Sequence, residues 1–396
     1  MDFQKTDISF LRTRAALKWG RWGEDVISLS VADIDYPPPR EVREGVQRWL
    51  FEDRSPYGHY QGDVELREAL AQKLFEKNKL QVAPDDLVVI PGTMFAIFLV
   101  CYLFLDRGDE ALISPAPVYG PFWKNVEASR AIARGHDLDM DQGFRFRADV
   151  LPELVNSRTR LVMVCNPHNP TGRVLSREEL EAIARVAEEK DLLIFSDELY
   201  EDMVFEGEHI SIASLGQEIF HRTITVYGFS KAFGIPGYRV AYMVVPGRLR
   251  NKVVEATKRI IVHTDTLAQA AAMGAMAAAS LWLPAFMSHL KEMRDRVIDR
   301  LSRIPGVRCH RPQATPFVFA DMRSFGLPSE EMGKLLLERA KVVLHPGRQF
   351  GPSGEGFMRL NFATSWEILS EALGRMEVVL CDLWNERDNW RRGEGT

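Results

Sequence analysis

Six short apolar runs restrict the fold more than any other feature of this chain. They are Leu87–Ile90, Ala111–Ser114, Leu161–Cys165, Leu192–Phe195, Thr223–Tyr227 and Arg239–Val245, and the stretches between them have helical periodicity. Strand-length runs alternating with helices predict an α/β sheet with helices on its faces. The runs are almost wholly apolar rather than alternating, which suits strands covered on both sides. Ser176-Arg-Glu-Glu179 reads as a capping box that opens a helix to about Lys190, with Leu180, Ile183, Ala184 and Ala187 on its buried face.

Beyond Pro284 the pattern changes. Phe286, Leu290, Met293, Val297, Leu301 and Ile304 recur at helical spacing until Pro305-Gly306. A strand at Phe317–Ala320, a helix near Glu330–Ala340, short strands at Val342–Leu344 and Phe357–Phe362, and a last helix from about Ser365 complete a smaller α+β unit. The expected division is a large domain over residues 46–284 and a small one from residues 1–45 and 285–396. Ala268 to Met287 is alanine-rich, carries Gln269 and Ser280, and is expected to be a buried helix broken by Pro284.

Composition narrows the function classes. Apolar residues are 46% and charged residues 27%, with a net charge of -5, which leaves no basic footprint for nucleic acid. The one basic cluster, Trp390-Arg391-Arg392, reads as a solvated end. Met94 to Leu105, the most apolar stretch, spans 12 residues, short of the ~20 that cross a bilayer. MDFQKTDISF lacks the basic and apolar regions of a signal peptide. The four cysteines lie far apart without a C-x-x-C, which suits buried free thiols in a reducing compartment. The expectation is a soluble, cytoplasmic protein without a membrane or nucleic-acid partner.

Ligands of open α/β sheets bind beyond the carboxyl ends of the strands, so the residues there carry the functional reading. Leu87–Ile90 is followed by Pro91-Gly92-Thr93-Met94 and an all-apolar helix. Leu161–Cys165 leads into NPHNPTG, Leu192–Phe195 into Ser-Asp197-Glu-Leu-Tyr200, and Thr223–Tyr227 into Gly228-Phe-Ser230-Lys231. Taken singly, each has a plainer reading: a turn, a helix cap, an exposed lysine. Together they assemble an amine, a carboxylate, a tyrosine, an asparagine, phosphate-binding amides and Arg239. Pyridoxal phosphate requires that set. A lysine bonds the cofactor, an acid keeps the pyridine nitrogen protonated, and amides with an arginine fork hold the phosphate.

On these residues the chain resembles the class I/II aminotransferases, fold-type I enzymes of pyridoxal phosphate, from about Ile27 to the last helix. The motifs that carry the resemblance are Ser-Lys with an arginine eight residues on, Asn-Pro-Thr-Gly, and Asp-x-x-Tyr about thirty residues before the lysine. It implies an α/β fold, a large domain with a mostly parallel sheet plus a smaller α+β domain. It implies Lys231 as the Schiff-base lysine and proton carrier, Asp197 at the pyridine nitrogen, and Tyr200 and Asn169 at the phenolic oxygen. Tyr119 is implied to stack on the ring, Gly92, Thr93, Ser230 and Arg239 to cradle the phosphate, and Met94 to be among the cofactor-binding residues. Tyr57 matches a tyrosine that reaches the neighbouring subunit's phosphate, which implies a homodimer with shared sites. Arg359, in FMRLNFA, and Asn169 are implied to bind the substrate, with Arg359 gripping its α-carboxylate. The implied substrates are an L-amino acid and a 2-oxo acid.

There are departures. Gly228 stands where many relatives have serine or threonine. VADIDYPPP (Val31 to Pro39) and the histidine in NPHNP resemble the cystathionine β-lyase-like carbon–sulfur lyases. Tyr200, Thr171 and Arg239 favour the aminotransferases. A β-lyase is therefore the alternative, and a non-catalytic regulatory role the third reading. Gly228-Phe-Ser-Lys-Ala misses the serine-hydrolase elbow, and the histidines lack metal-ligand spacing. Gly351-Pro-Ser-Gly-Glu-Gly is expected as a mobile surface loop. Phe10, Trp19, Trp22 and Tyr36 are expected to pack the small domain.

Overall fold

The structure, a computed structural model, describes residue 3, residues 6–53 and residues 56–391; for residue 16 and residues 388–391 it describes the backbone alone. The side chains of the Trp390-Arg391-Arg392 cluster lie outside the described residues. In chain order the strands are β1 (Ile27–Ser28), β2 (Leu87–Ile90), β3 (Glu110–Ala116), β4 (Ile132–Asp137), β5 (Thr159–Cys165), β6 (Leu193–Asp197), β7 (Thr223–Gly228), β8 (Ala241–Val244), β9 (Arg308–Cys309), β10 (Phe317–Asp321), β11 (Val342–Val343), β12 (His345–Pro346) and β13 (Phe357–Asn361).

The chain divides into two compact units. The larger comprises Pro38–His168 and Arg173–Leu283; the smaller comprises Met1–Pro37, Asn169–Gly172 and Pro284–Thr396. Residues 38–45 thus join the larger unit, and four residues of the NPHNPTG motif join the smaller one, an excursion that no composition shift in the sequence marks.

The larger unit is built on a seven-stranded sheet of order β2-β8-β7-β6-β5-β3-β4. Pairings from β7 through β4 are parallel, and β8 alone runs antiparallel, between β2 and β7. The sheet is therefore mostly parallel and flanked by helices. Val88, Ile90, Ile113, Met163, Phe195, Val226 and Met243 pack one core with the helix Thr93–Phe104. Strand β4 is absent from the sequence expectation for a physical reason. Its side chains, IARGHD, are largely exposed or half-buried, so it has no apolar run to read. The helix Arg177–Glu189 begins as expected: Glu179 N donates to Ser176 Oγ at 3.3 Å and Ser176 N donates to Glu179 Oε2 at 2.9 Å, a cap worth about 1 kcal/mol.

In the smaller unit, β12-β13-β10-β9 form an antiparallel sheet, and β1 pairs with β11 in parallel. The helix Trp366–Arg391 follows. Trp19 and Tyr36 are fully buried here, whereas Phe10 is exposed and Trp22 only half-buried. The Gly351–Gly356 segment is not an open loop. It carries a short 3-10 turn, Pro352–Gly354, and Glu355 accepts from Ser329 N at 2.6 Å and Ser329 Oγ at 2.8 Å.

Pro284 does not break its helix. Thr266–Leu301 is one helix of 36 residues with Pro284 inside. Proline costs such a helix about 3 kcal/mol, and anchoring on each side offsets that cost. Trp282 Nε1 donates to Ala232 O at 2.8 Å, and Phe286 is completely buried. By length and composition this helix could cross a membrane. In the fold it buries a stripe of small residues, Ala268, Ala271, Ala272, Ala275 and Ala278, while Met273 and Leu281 are exposed.

Candidate active site

Register assembles the first part of the site. Ile90, the last residue of β2, and Gly228, the last of β7, both pair with Ala241, the first of the antiparallel β8. Three segments therefore meet at one end of these strands: Gly92-Thr93, Ser230-Lys231, and Arg239 two residues before β8. Arg239 itself is not in the strand. It has a left-handed backbone (φ +57°), and its guanidinium donates to Pro91 O at 3.2 Å and Pro236 O at 3.1 Å. The side chain is exposed, and among the described residues no carboxylate pairs with it.

Gly92, with φ +99°, caps the helix Thr93–Phe104. A Cβ there would lie 2.7 Å from Arg239 Nη2, so only glycine lets the fork approach. Thr93 and Met94 lie in the first helical turn, where N–H groups have no intrahelical acceptor. Free amides, a helix dipole and a guanidinium fork suit a phosphate dianion. Gly228 is set by close packing as well: a Cβ would stand 2.8 Å from Leu199 Cδ1. A larger residue, such as the serine or threonine expected by resemblance, would crowd Leu199.

Lys231 lies on the turn after β7, half-buried, between Phe229 and Phe233, which are buried. Ala232 beside it is pinned by the Trp282 indole. Ser230 is also half-buried. Asp197 ends β6 and is 5% exposed. Its Oδ1 accepts from Leu199 N at 3.1 Å. Burial pushes its carboxyl up to about 7; the Leu199 N–H and the Lys231 charge oppose this, and the Glu198 charge adds to it. An acid so placed suits a cationic partner that removes the penalty. Tyr200, three residues on, is buried, and Tyr119 precedes the helix Pro121–Ala128 half-buried. Tyr57 is 91% exposed, its ring edge-on to His263. His168 is fully buried, and burial, with Arg173 nearby, lowers it to about 3, so it stays neutral.

The smaller unit holds the other part of the set. Arg359, on β13, is 2% exposed, with its guanidinium 4.2 Å from the Phe317 ring centroid and 4.8 Å from that of Phe350. It donates to Asn169 Oδ1 at 2.9 Å and Ser30 O at 2.8 Å. Asn169 therefore has its carboxamide oxygen occupied and offers a ligand its NH2 group. Asn361, two residues along β13, donates to Val31 O at 2.7 Å and Asp33 O at 2.8 Å and so fixes the VADID segment. The same segment is tied by a buried ion pair, Lys18 to Asp35 at 2.9 Å, with Trp19 Nε1 donating to Asp35 at 2.8 Å. Neither Asn361 nor Lys18 was assigned from sequence. Asn361 sat inside FMRLNFA; Lys18 had no motif to announce it.

Residues 24–376 match the family described as aminotransferase class I and II. The chain belongs to that family. An aspartate aminotransferase of Pyrococcus abyssi is 34% identical over 90% of this chain and 92% of its own length. The crystal structure of an aromatic aminotransferase from Pyrococcus horikoshii superposes with a TM-score of 0.87 at 32% identity, covering 95% of this chain and 99% of that one. A putative aminotransferase from Clostridium difficile, solved with pyridoxal phosphate bound, gives 0.88 at 25% identity over 96% and 99%. A cystathionine beta-lyase of Bacillus subtilis is 28% identical over 92% and 96%. The protein is thus a fold-type I, pyridoxal-phosphate-dependent aminotransferase that moves an amino group between an amino acid and a 2-oxo acid. The anion cradle, the buried acid and the half-buried lysine of the larger unit fit that cofactor.

Proposed function

We propose that this aminotransferase carries its cofactor on the larger unit, at Lys231, Asp197, Tyr200, Tyr119, Gly92, Thr93, Met94, Ser230 and Arg239, and orients its substrate with Arg359 and Asn169. The observation that supports this reading most directly is the register that brings Gly92, Lys231 and Arg239 to the same end of three adjacent strands. When bound, the cofactor supplies an electron sink that acidifies the substrate's α C–H bond. Lys231 anchors the cofactor and then carries the proton from the substrate's α carbon. Asp197 would hold the ring nitrogen in its protonated form, and Tyr200 and Asn169 would each offer a donor to the phenolic oxygen. Arg359, with its guanidinium over the Phe317 and Phe350 rings, offers the fork that fixes a carboxylate in two hydrogen bonds.

The exposed Tyr57, together with the exposed stripe Met94, Phe98 and Tyr102 on the cradle helix, supports a homodimer in which Tyr57 serves the neighbour's phosphate. A soluble, cytoplasmic enzyme is the matching localisation.

Keto acid released per active site, without an acceptor, tests the reading. The substrates are a panel of L-amino acids that includes cystathionine. A burst near one equivalent is expected. Continued pyruvate release from cystathionine would establish the carbon–sulfur lyase reading, which the resemblance of VADIDYPPP and NPHNP supports.

A further inference from the structure

A second carboxylate is buried directly behind Asp197. Glu198 is completely buried and its backbone N–H is held by Val226 O at 2.9 Å. Its Oε1 accepts from Ser196 Oγ and from Ser211 Oγ, each at 2.9 Å, and Oε2 lies 2.9 Å from His209 Nε2. The far ring nitrogen, His209 Nδ1, faces the Asn166 Nδ2 group at 3.5 Å. The orientation of Asn166 is fixed, because its Oδ1 accepts from Leu175 N at 2.9 Å and its Nδ2 donates to Ile210 O at 3.2 Å. Nδ1 must therefore accept, which places the imidazole proton on Nε2, donated to Glu198. Glu198 receives three hydrogen bonds and returns none, as a carboxylate does.

Asn166 closes the circuit, since its own N–H donates to Asp197 O at 3.0 Å. Of the other charged groups nearby, Glu201 is paired with Lys73 and hydrogen-bonded by Asn78 at 2.6 Å, so the Lys73 cation is already engaged. Tyr227, whose hydroxyl lies 3.3 Å from Ser211 Oγ, is kept protonated by burial and by the Glu198 charge.

We propose that Glu198, held by His209, Ser196 and Ser211, is a positioning residue: its fixed buried charge reinforces Asp197 in keeping the cofactor's ring nitrogen protonated. The inference rests on the proposed pairing of Asp197 with that nitrogen. A like charge beside Asp197 raises its proton affinity in the empty site, and with the ring bound the same charge favours the ring cation. Desolvation keeps the effect from being screened.

The test uses Glu198→Gln, Glu198→Asp and Asp197→Asn, titrated with pyridoxal phosphate. The visible absorbance of the bound cofactor is followed against pH, and melting of the cofactor-free proteins is recorded. Glu198→Gln is expected to bind the cofactor about tenfold more weakly and to move the spectral titration to lower pH by about one unit; Glu198→Asp should stay within about threefold of the parent. Should Glu198→Gln fail to fold, Glu198→Met with His209→Leu, Ser196→Ala and Ser211→Ala removes the same charge together with its three donors, and the same weakening is expected. Parent-like binding by the charge-free variant, or equal weakening by Glu198→Asp, overturns the proposal. Parent-like binding by Asp197→Asn would instead overturn the pairing on which it rests.

Discussion

The two arginines of the set, Arg239 and Arg359, are held in opposite ways. Arg239 is exposed on a left-handed turn, and its guanidinium donates to two backbone carbonyls. Arg359 is buried between two aromatic rings, with a carboxamide oxygen and a carbonyl as acceptors. The contrast teaches where each side chain's binding strength originates. Around Arg239 water competes, so in the proposed role its fork would depend on the helix amides beside it to hold an anion. Around Arg359 the low dielectric strengthens every contact, and the geometry is fixed before a ligand arrives. His345, opposite Arg359 on β12, adjusts to this charge: burial, then the arginine itself, lowers it to about 3, which keeps it neutral.

Replacing the buried arginine should have the largest effect. Arg359→Lys keeps a charge but loses the fork, so kcat/KM for the amino acid is expected to fall about 100-fold or more, chiefly through KM. Steady-state kinetics on both half-reactions would read this. A KM within twofold of the parent would show that the carboxylate binds elsewhere.

Arg239→Gln should do less, and to a different ligand. Cofactor affinity is expected to weaken about tenfold in an absorbance titration, while the cofactor-free protein keeps its stability within about 0.5 kcal/mol, as exposed substitutions do. If that protein melted far lower, the two carbonyl contacts would be structural and the contrast drawn above would fail.

The smallest effect is expected at Asp197. Its folded carboxyl sits near 7 against an ordinary value of 3.8. The stability that protonation gives is complete below that ordinary value and is lost as pH rises through 7. The melting temperature gained on adding cofactor should therefore widen by a few degrees between about pH 4 and pH 7. Scanning calorimetry with and without pyridoxal phosphate measures the gap; a gap that narrows over this range would exclude a cationic partner for Asp197.

Sequence made much of this legible because local rules were obeyed locally. The near-continuous apolar runs marked β2, β3, β5, β6 and β7, and Ser176 with Glu179 marked a helix start to the residue. The strand-end residues could be listed because an α/β sheet puts its chemistry at the carboxyl ends. Where side chains were polar or short, as in β4, the same rules had nothing to detect.

The order of residues in the chain determined the fold class, the cofactor and the candidate residues Lys231, Asp197 and Arg359, since each is announced by its own neighbours. Tertiary structure alone decided that β8 runs antiparallel and starts at Arg239's side of the sheet, that the helix continues through Pro284, and that Asn169 spends its oxygen on Arg359. It also decided that Glu198, eleven residues before His209, meets it at 2.9 Å behind Asp197. Cross-strand register and packing of distant segments set these features, and their free energies appear only once the chain has closed on itself.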